Sequence, residues 1–409
     1  MHLHPKSFVL LHQENSTIRN FLPAAPGTQN MPPKAVEGSL ESLKALVQST
    51  TSLTTQLEET LSDISFGKIP PDSCTSPLAH DAAPTPVDVL ALAHDSASLV
   101  RAHSTKLSLL IINEPFTPSA ITKVLRELVA GPIPAIASAV QLCAADTHTA
   151  IVRQHLAWKC RHVLHELGRL IETIPLDGKV LPAHRKNGSN GDRGSIVTTG
   201  VLWAACDEVI LLKKLGIAGL LAKTVEEHRD TLQDTLEELK EWSEMEDEED
   251  GEEDEDVQHI ANGLQDTHIS AQQMIDDLMT SRPIPRNDPD RIRERLDLCL
   301  KRLRLIVLLY SAIIKRRIKT LPSLPTEQAT PFIRRLHEVY PILKRLPIRF
   351  DEVASAFYDL DTAAIDATMD QCFMDAFAAA EMLKAPWTGS EDVFTEWADK
   401  FQISIKKPD

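Results

Sequence analysis

The chain has 409 residues, 43 % of them apolar and only 5 % aromatic, enough apolar matter for a sizeable buried core. Leu, Ala, Glu, Lys and Arg dominate and β-branched residues rarely alternate with polar ones, which excludes a strand-rich fold and predicts helical bundles in two or three domains. The formal charge of −16 is local: Glu244 to Asp256 carries eleven acidic side chains and no basic one, leaving −5 for the rest, so a surface that repels nucleic acid everywhere is excluded as well.

Residues 1–35, rich in Pro, Asn and Gln, read as a disordered tail. The tail's apolar patch has no small-residue cleavage site, and Met31 is an alternative start, since helical patterning begins just after it. Leu40, Leu43, Leu46, Val47, Leu57, Leu61 and Ile64 then recur at three- and four-residue steps and predict a first helix. Prolines from Pro70 to Pro86 end it. A second helix is expected from about Val87 to Ile112 and a third from Ser119 to about Ala130, where Gly131-Pro132-Ile133-Pro134 should kink or break it. Helix resumes to about Ala145, and another covers Thr147 to Ile174.

The loop from Pro175 to Gly194 leads to Thr198 and Thr199, which can cap a helix running through Trp203 to Leu215. Gly216 breaks the pattern, and a further helix with Leu221, Val225, His228, Leu232, Leu236 and Leu239 along one seam reaches Trp242. The acidic run follows, then a weak helical stretch from Ile269 to Met279. Arg291 to Lys319 is the most strongly patterned helix, with Ile292, Leu296, Cys299, Leu303, Ile306, Tyr310 and Ile313 on its seam; Leu305 to Leu309 is apolar all round and expected to be buried. Helices over 330–346, 361–383 and 391–405, with a turn near 350–357, complete the chain.

Cys74, Cys143, Cys160, Cys206, Cys299 and Cys372 form no CxxC pair and are expected as reduced core residues in a cytosolic or nuclear compartment. The longest apolar run, Leu305 to Ile314, is far short of the roughly 20 residues of a membrane span. Twelve Lys/Arg against four acidic residues between Arg282 and Lys319 put Arg293, Lys301, Arg304 and Lys315 in one stripe, read as a solvated face rather than a nucleic-acid contact, because no stacking aromatics are interleaved. The acidic run reads as a solvated linker, with folding back onto this basic helix as the alternative; Ser243, followed by Glu244, Glu246 and Asp247, suits an acid-directed kinase. His148, His155, His162 and His165 share a helix, but the HxxHE order and the lack of matching carboxylates give no metal site. No P-loop, GxSxG or GxGxxG signature is present, so no catalytic residue and no cofactor are assigned.

The block from Val201 to Leu239 pairs Trp203-x-Ala205-Cys206 with Asp230-x3-Asp234-x2-Glu237-Glu238. It resembles the GCIP family, the Grap- and cyclin-D-interacting (cyclin-D-binding-like) proteins. The order of the helices over residues 36–406 and a late Asp351-x4-Ala356-x-Tyr358 segment agree, although Asp359 stands where the family tends to have proline. The resemblance implies an all-α bundle, a non-enzymatic role in nucleus and cytoplasm, and binding of cyclin- or helix-loop-helix-like regulators that act on cell-cycle progression and transcription. It carries over no binding residues, and Trp203 and Cys206 are expected in the core. The combined expectation is an all-α multi-helix protein without a β-sheet. It has a five-helix-type N-terminal bundle over 36–243, an acidic linker over 244–266 and a C-terminal helical region over 267–406 packing on the bundle. A vinculin-like cytoskeletal scaffold is the runner-up and a helical nucleic-acid-associated protein the third reading; no membrane partner is expected.

Overall fold

The computed structural model describes residues 33–68, 87–189, 192–244, 284–322, 329–389 and 391–406. These build an all-α fold: α1 Pro33–Ser65, α2 Val89–Ile112, α3 Pro118–Ala130, α4 Pro132–Leu142, the single turn α5 Ala145–His148, α6 Ala150–Glu172, the short α7 Ala183–Asn187, α8 Ser195–Ser243, α9 Ile292–Ile313, α10 Ala329–Tyr358, α11 Thr362–Lys384 and α12 Val393–Lys406. The described residues contain only a two-residue antiparallel pairing, Gly188–Ser189 with Asp192–Arg193, and no larger sheet. The stretch 269–279 and the acidic run beyond Glu244, with its alternative of folding back on the basic helix, lie outside the described residues.

The proline-glycine break between the third and fourth helices forms as expected: α3 stops at Ala130, and Pro132 opens α4 at a position where its missing N–H is not needed. Asp88 caps α2 by accepting from the Ala91 amide, and Asp361 caps α11 from the Ala363 and Ala364 amides. Thr198 and Thr199 are not caps. The helix starts earlier, at Ser195, and their hydroxyls bond back to the Gly194 and Ser195 carbonyls inside its first turns.

α8 is the axis of the molecule. Before Gly216 it packs on α2 and α6; after it, Val225, Leu232, Leu236, Leu239 and Trp242 are buried and the helix leans on α9 and α10. Gly216 marks the bend with φ +64° and ψ −176°, a conformation essentially reserved for glycine. One window of α8 is long and apolar enough, by length and composition alone, to cross a membrane. Of that window 44 % is buried in the fold.

Two expectations about the C-terminal part are corrected. A helix ending near Leu346 and a turn at 350–357 are replaced by one helix, α10, that runs through Pro341 and Pro347. Pro347 leaves the Leu343 carbonyl without its helical donor. The hydroxyl of buried Tyr310 supplies that bond at 2.6 Å, so the chain stays helical. The belt at 305–309 is only partly buried: Ile306 and Leu309 are core, while Leu308 is 56 % exposed. The seam from Ile292 to Ile313 is buried throughout, against α8, α11 and α12.

α9 continues into a wide turn at Ile314–Ile318 that places Arg317, 1 % exposed, in the interior. Its guanidinium donates to the Leu383 and Lys384 carbonyls and to both oxygens of Asp392, tying α9 to the end of α11 and the start of α12. The same guanidinium lies 4.3 Å from the Phe394 ring. This arginine holds the Asp392 carboxyl well below the usual carboxylate range.

Candidate protein-interaction surface

In the first half of α8, Leu202, Ala205, Cys206, Val209 and Leu212 turn inward and are buried, while Gly200, Ala204, Asp207, Glu208 and Leu211 face out. Cys206, expected in the core together with Trp203, is buried, and so is Ala205. Trp203 sits at the border, half-buried, and its place is decided by a residue from α2. The Arg101 guanidinium lies 5.4 Å from the indole centroid and its Nε contacts Asp207 at 3.0 Å. Arg101 thus bridges the tryptophan and an aspartate one turn further along, combining a cation–π contact with an ion pair.

The outer surface beside this bridge is unusually apolar for exposed helix. Leu109 of α2 is about half exposed, as are Ile196 and Val197 at the start of α8, whereas Leu99, two residues from Arg101, opens on the opposite side of α2. On the other flank Trp158 of α6 is 50 % exposed, with Lys159 over its ring at 5.4 Å while also pairing with Glu208 at 2.9 Å. Past Asp207 a shallow groove of about 380 Å³ is lined by His94, Ile210, Leu211, Lys213 and Lys214. Exposed leucines and a tryptophan with arginine and lysine at their edges suit reception of the apolar face of a partner helix.

The second part of the signature lies elsewhere. Asp230, Asp234, Glu237 and Glu238 are exposed beyond the Gly216 bend. Asp230 pairs with Arg229, Glu237 accepts from Gln233 and Glu238 accepts the Tyr358 hydroxyl at 2.7 Å. They form a solvated acidic edge that is fastened to α10 at Glu238. Ser243 closes α8 with its hydroxyl on the Lys240 carbonyl at 2.6 Å.

Three of the four α5–α6 histidines go to separate partners. His148 meets Thr147, His162 approaches Glu166 at 3.9 Å, and His165 reaches Glu58 of α1 at 3.2 Å. Burial lowers the pKa of His155 and of His148. Among the described residues no group of three or more His, Cys, Asp or Glu has metal-ligating geometry. Burial pushes the Cys143, Cys206 and Cys299 thiols up to about 12, so they are neutral packing groups.

Arg101, Trp158, Leu99 and Leu109 are not singled out by sequence. The only one-dimensional signal is that Leu99, Leu109 and Trp158 fall out of phase with the buried positions of their own helices.

Residues 93–245 match the family model described as the N-terminal region of Grap2 and cyclin-D-interacting proteins. The matched stretch begins within α2 and ends just past α8, and so contains the whole surface described above. The chain is also 26 % identical over 153 residues to a protein of Schizosaccharomyces pombe described as uncharacterized. That alignment takes in 37 % of this chain and 44 % of the relative, so the chain matches less than half of the relative's length.

Proposed function

We propose that the chain, whose residues 93–245 match the Grap2 and cyclin-D-interacting family model, is a member of that family and a non-catalytic protein-interaction module whose α2–α8–α6 face receives a helix of a regulatory partner. Cyclin- or helix-loop-helix-like proteins are the first partners to try, with an effect on cell-cycle progression or transcription and a place in nucleus and cytoplasm. The observation that carries this reading is the exposure of Leu109, Trp158, Ile196, Val197 and Leu211 within the matched segment, where a bundle helix would otherwise be polar.

Trp158 and Arg101 are the residue types that dominate interface energies, and both stand at the edge of the apolar strip. The test is a binding titration of the full chain with a purified D-type cyclin, repeated with Trp158→Ala. A saturable complex that weakens about 30-fold in the variant, the size of a central interface residue, supports the reading. Absence of binding by the unaltered chain removes the cyclin assignment. Equal binding by the variant moves the contact off this face.

A further inference from the structure

Ser243 is the last residue of α8, which Glu244 caps with its amide on the Glu241 and Trp242 carbonyls. Three features of its surroundings combine. The sequence that follows, Glu244-Met245-Glu246-Asp247-Glu248-Glu249-Asp250, places carboxylates one, three, four, five, six and seven residues after the serine, the pattern that a kinase with a basic substrate groove reads. The hydroxyl donates to the Lys240 carbonyl, one of the carbonyls that a helix end leaves without an amide partner. The residue before it, Trp242, is 3 % exposed and is the last packing contact of α8: its ring lies 6.1 Å from Phe357 and 5.4 Å edge-on from Tyr358 of α10.

We propose that Ser243 is the phosphoacceptor of an acid-directed serine/threonine kinase, and that its phosphate loosens the last turn of α8 and the seat of Trp242 on α10. In the transfer, Ser243 Oγ bonds to the γ-phosphorus of a nucleoside triphosphate. The bond to the diphosphate leaving group breaks, and the hydroxyl proton goes to the kinase's base. The product cannot keep the native arrangement. The ester oxygen no longer donates to Lys240, and a group of about −1.5 to −2 charge stands at the negative end of the helix, beside Glu241 and Glu244. Lys240, 4.0 Å from Glu244, is the cation at hand, and it lies on the turn being unwound. The turn before it carries Glu238, which accepts the Tyr358 hydroxyl, so the loosening is felt where α8 meets α10. The inference stands apart from the partner face on α2, α6 and the first half of α8.

The experiment treats the full chain with an acid-directed kinase, ATP and Mg²⁺, locates phosphate by tandem mass spectrometry and follows amide exchange. The expected result is phosphate on Ser243, none there in Ser243→Ala, and exchange over residues 236–244 about three- to tenfold faster in the phosphorylated protein, the size of a helix-end charge effect, with α2 unchanged. An unmodified Ser243 in the folded chain, when a peptide of residues 238–250 is phosphorylated, overturns the site. Phosphate at Ser243 with unaltered exchange overturns the proposed consequence.

Discussion

The two halves of α8 run through different surroundings. Before Gly216 the helix packs with α2 and α6 mainly through Ala, Val, Leu and Cys side chains. Its buried side-chain tie to α2 is the neutral Thr199–Ser108 hydrogen bond, and the charged ties are at the surface, such as Arg101 with Asp207 and Lys159 with Glu208. After Gly216 it joins helices held by buried or half-buried polar bonds: Arg317 on Asp392 and two carbonyls, Arg345 and Arg349 on Asp375, and Tyr310 on the Leu343 carbonyl. An apolar core tolerates side-chain adjustment at small cost, while buried ion pairs demand one geometry. The contrast assigns adaptability to the half that carries the exposed leucines and tryptophan, and rigidity to the half that backs it.

The largest effect should come from the rigid half. Replacing Arg317 with Ala strands the Leu383 and Lys384 carbonyls and leaves the partly exposed Asp392 carboxylate without its partner, and a loss of ~3 kcal/mol in urea unfolding is expected, mostly from the unsatisfied buried carbonyls. Because Asp392 has a depressed pKa, its contribution is complete above the unfolded value of about 3.9 and disappears as pH falls through the lower folded value. A variant as stable as the parent would mean that α12 is not anchored through this bond set. Next in size is a binding contrast. Leu109→Asp on the adaptable half should weaken a helical partner by roughly 2 kcal/mol, whereas Met374→Asp, on α11 and also open to solvent, should leave the Kd unchanged. If both variants behave alike, the division between a presenting half and a backing half is wrong.

The hinge between the halves gives a third test. A Cβ at position 216 would touch nothing within 4 Å, so the cost of Gly216→Ala is purely the backbone's, with φ at +64° and ψ at −176°. A destabilisation of roughly 1–3 kcal/mol by thermal melting is expected. A neutral result would show that α8 can straighten without strain.

Much of the fold could be read from periodicity because period is a property of one helix alone. The seam from Ile292 to Ile313 is buried at every position named, and Gly216 interrupts α8 where the pattern stops. What could not be read depends on a second segment. Pro347 looked like a terminator because the residue that replaces its lost hydrogen bond, Tyr310, lies 33 residues earlier in the bond to Leu343. Leu308 looked buried because an apolar belt carries no mark of which side lacks a neighbour. The surface was less legible still. Trp203 and Cys206 stood out as a motif, yet only Cys206 is fully enclosed, and the contact that makes Trp203 part of a face comes from Arg101 on another helix.

The smallest predicted effect concerns the seam between the halves. Ala150 begins α6, and its amide donates to Nε2 of His337 on α10 at 2.9 Å, so the ring acts as a helix cap supplied from the far side of the molecule. Only a neutral imidazole can accept this bond, and burial lowers the pKa of His337 accordingly. His228, whose ring lies 6.1 Å from that of Tyr340, and His155 on α6 are shifted the same way by burial, with Lys159 and Lys344 adding to the shift and Glu227 opposing it. For groups with lowered folded pKa values the stabilising contribution is complete above the unfolded value of about 6.5 and falls as pH drops toward the folded values. His337→Gln offers a carbonyl oxygen to the same amide but does not titrate. Urea midpoints at pH 7.5 and pH 5.5 should therefore differ less in this variant than in the parent, by about 1 kcal/mol, the size of one helix cap. Identical pH dependence in the two proteins would show that the α6–α10 seam does not depend on the charge of His337, and that the two halves are joined by apolar packing along α8 alone.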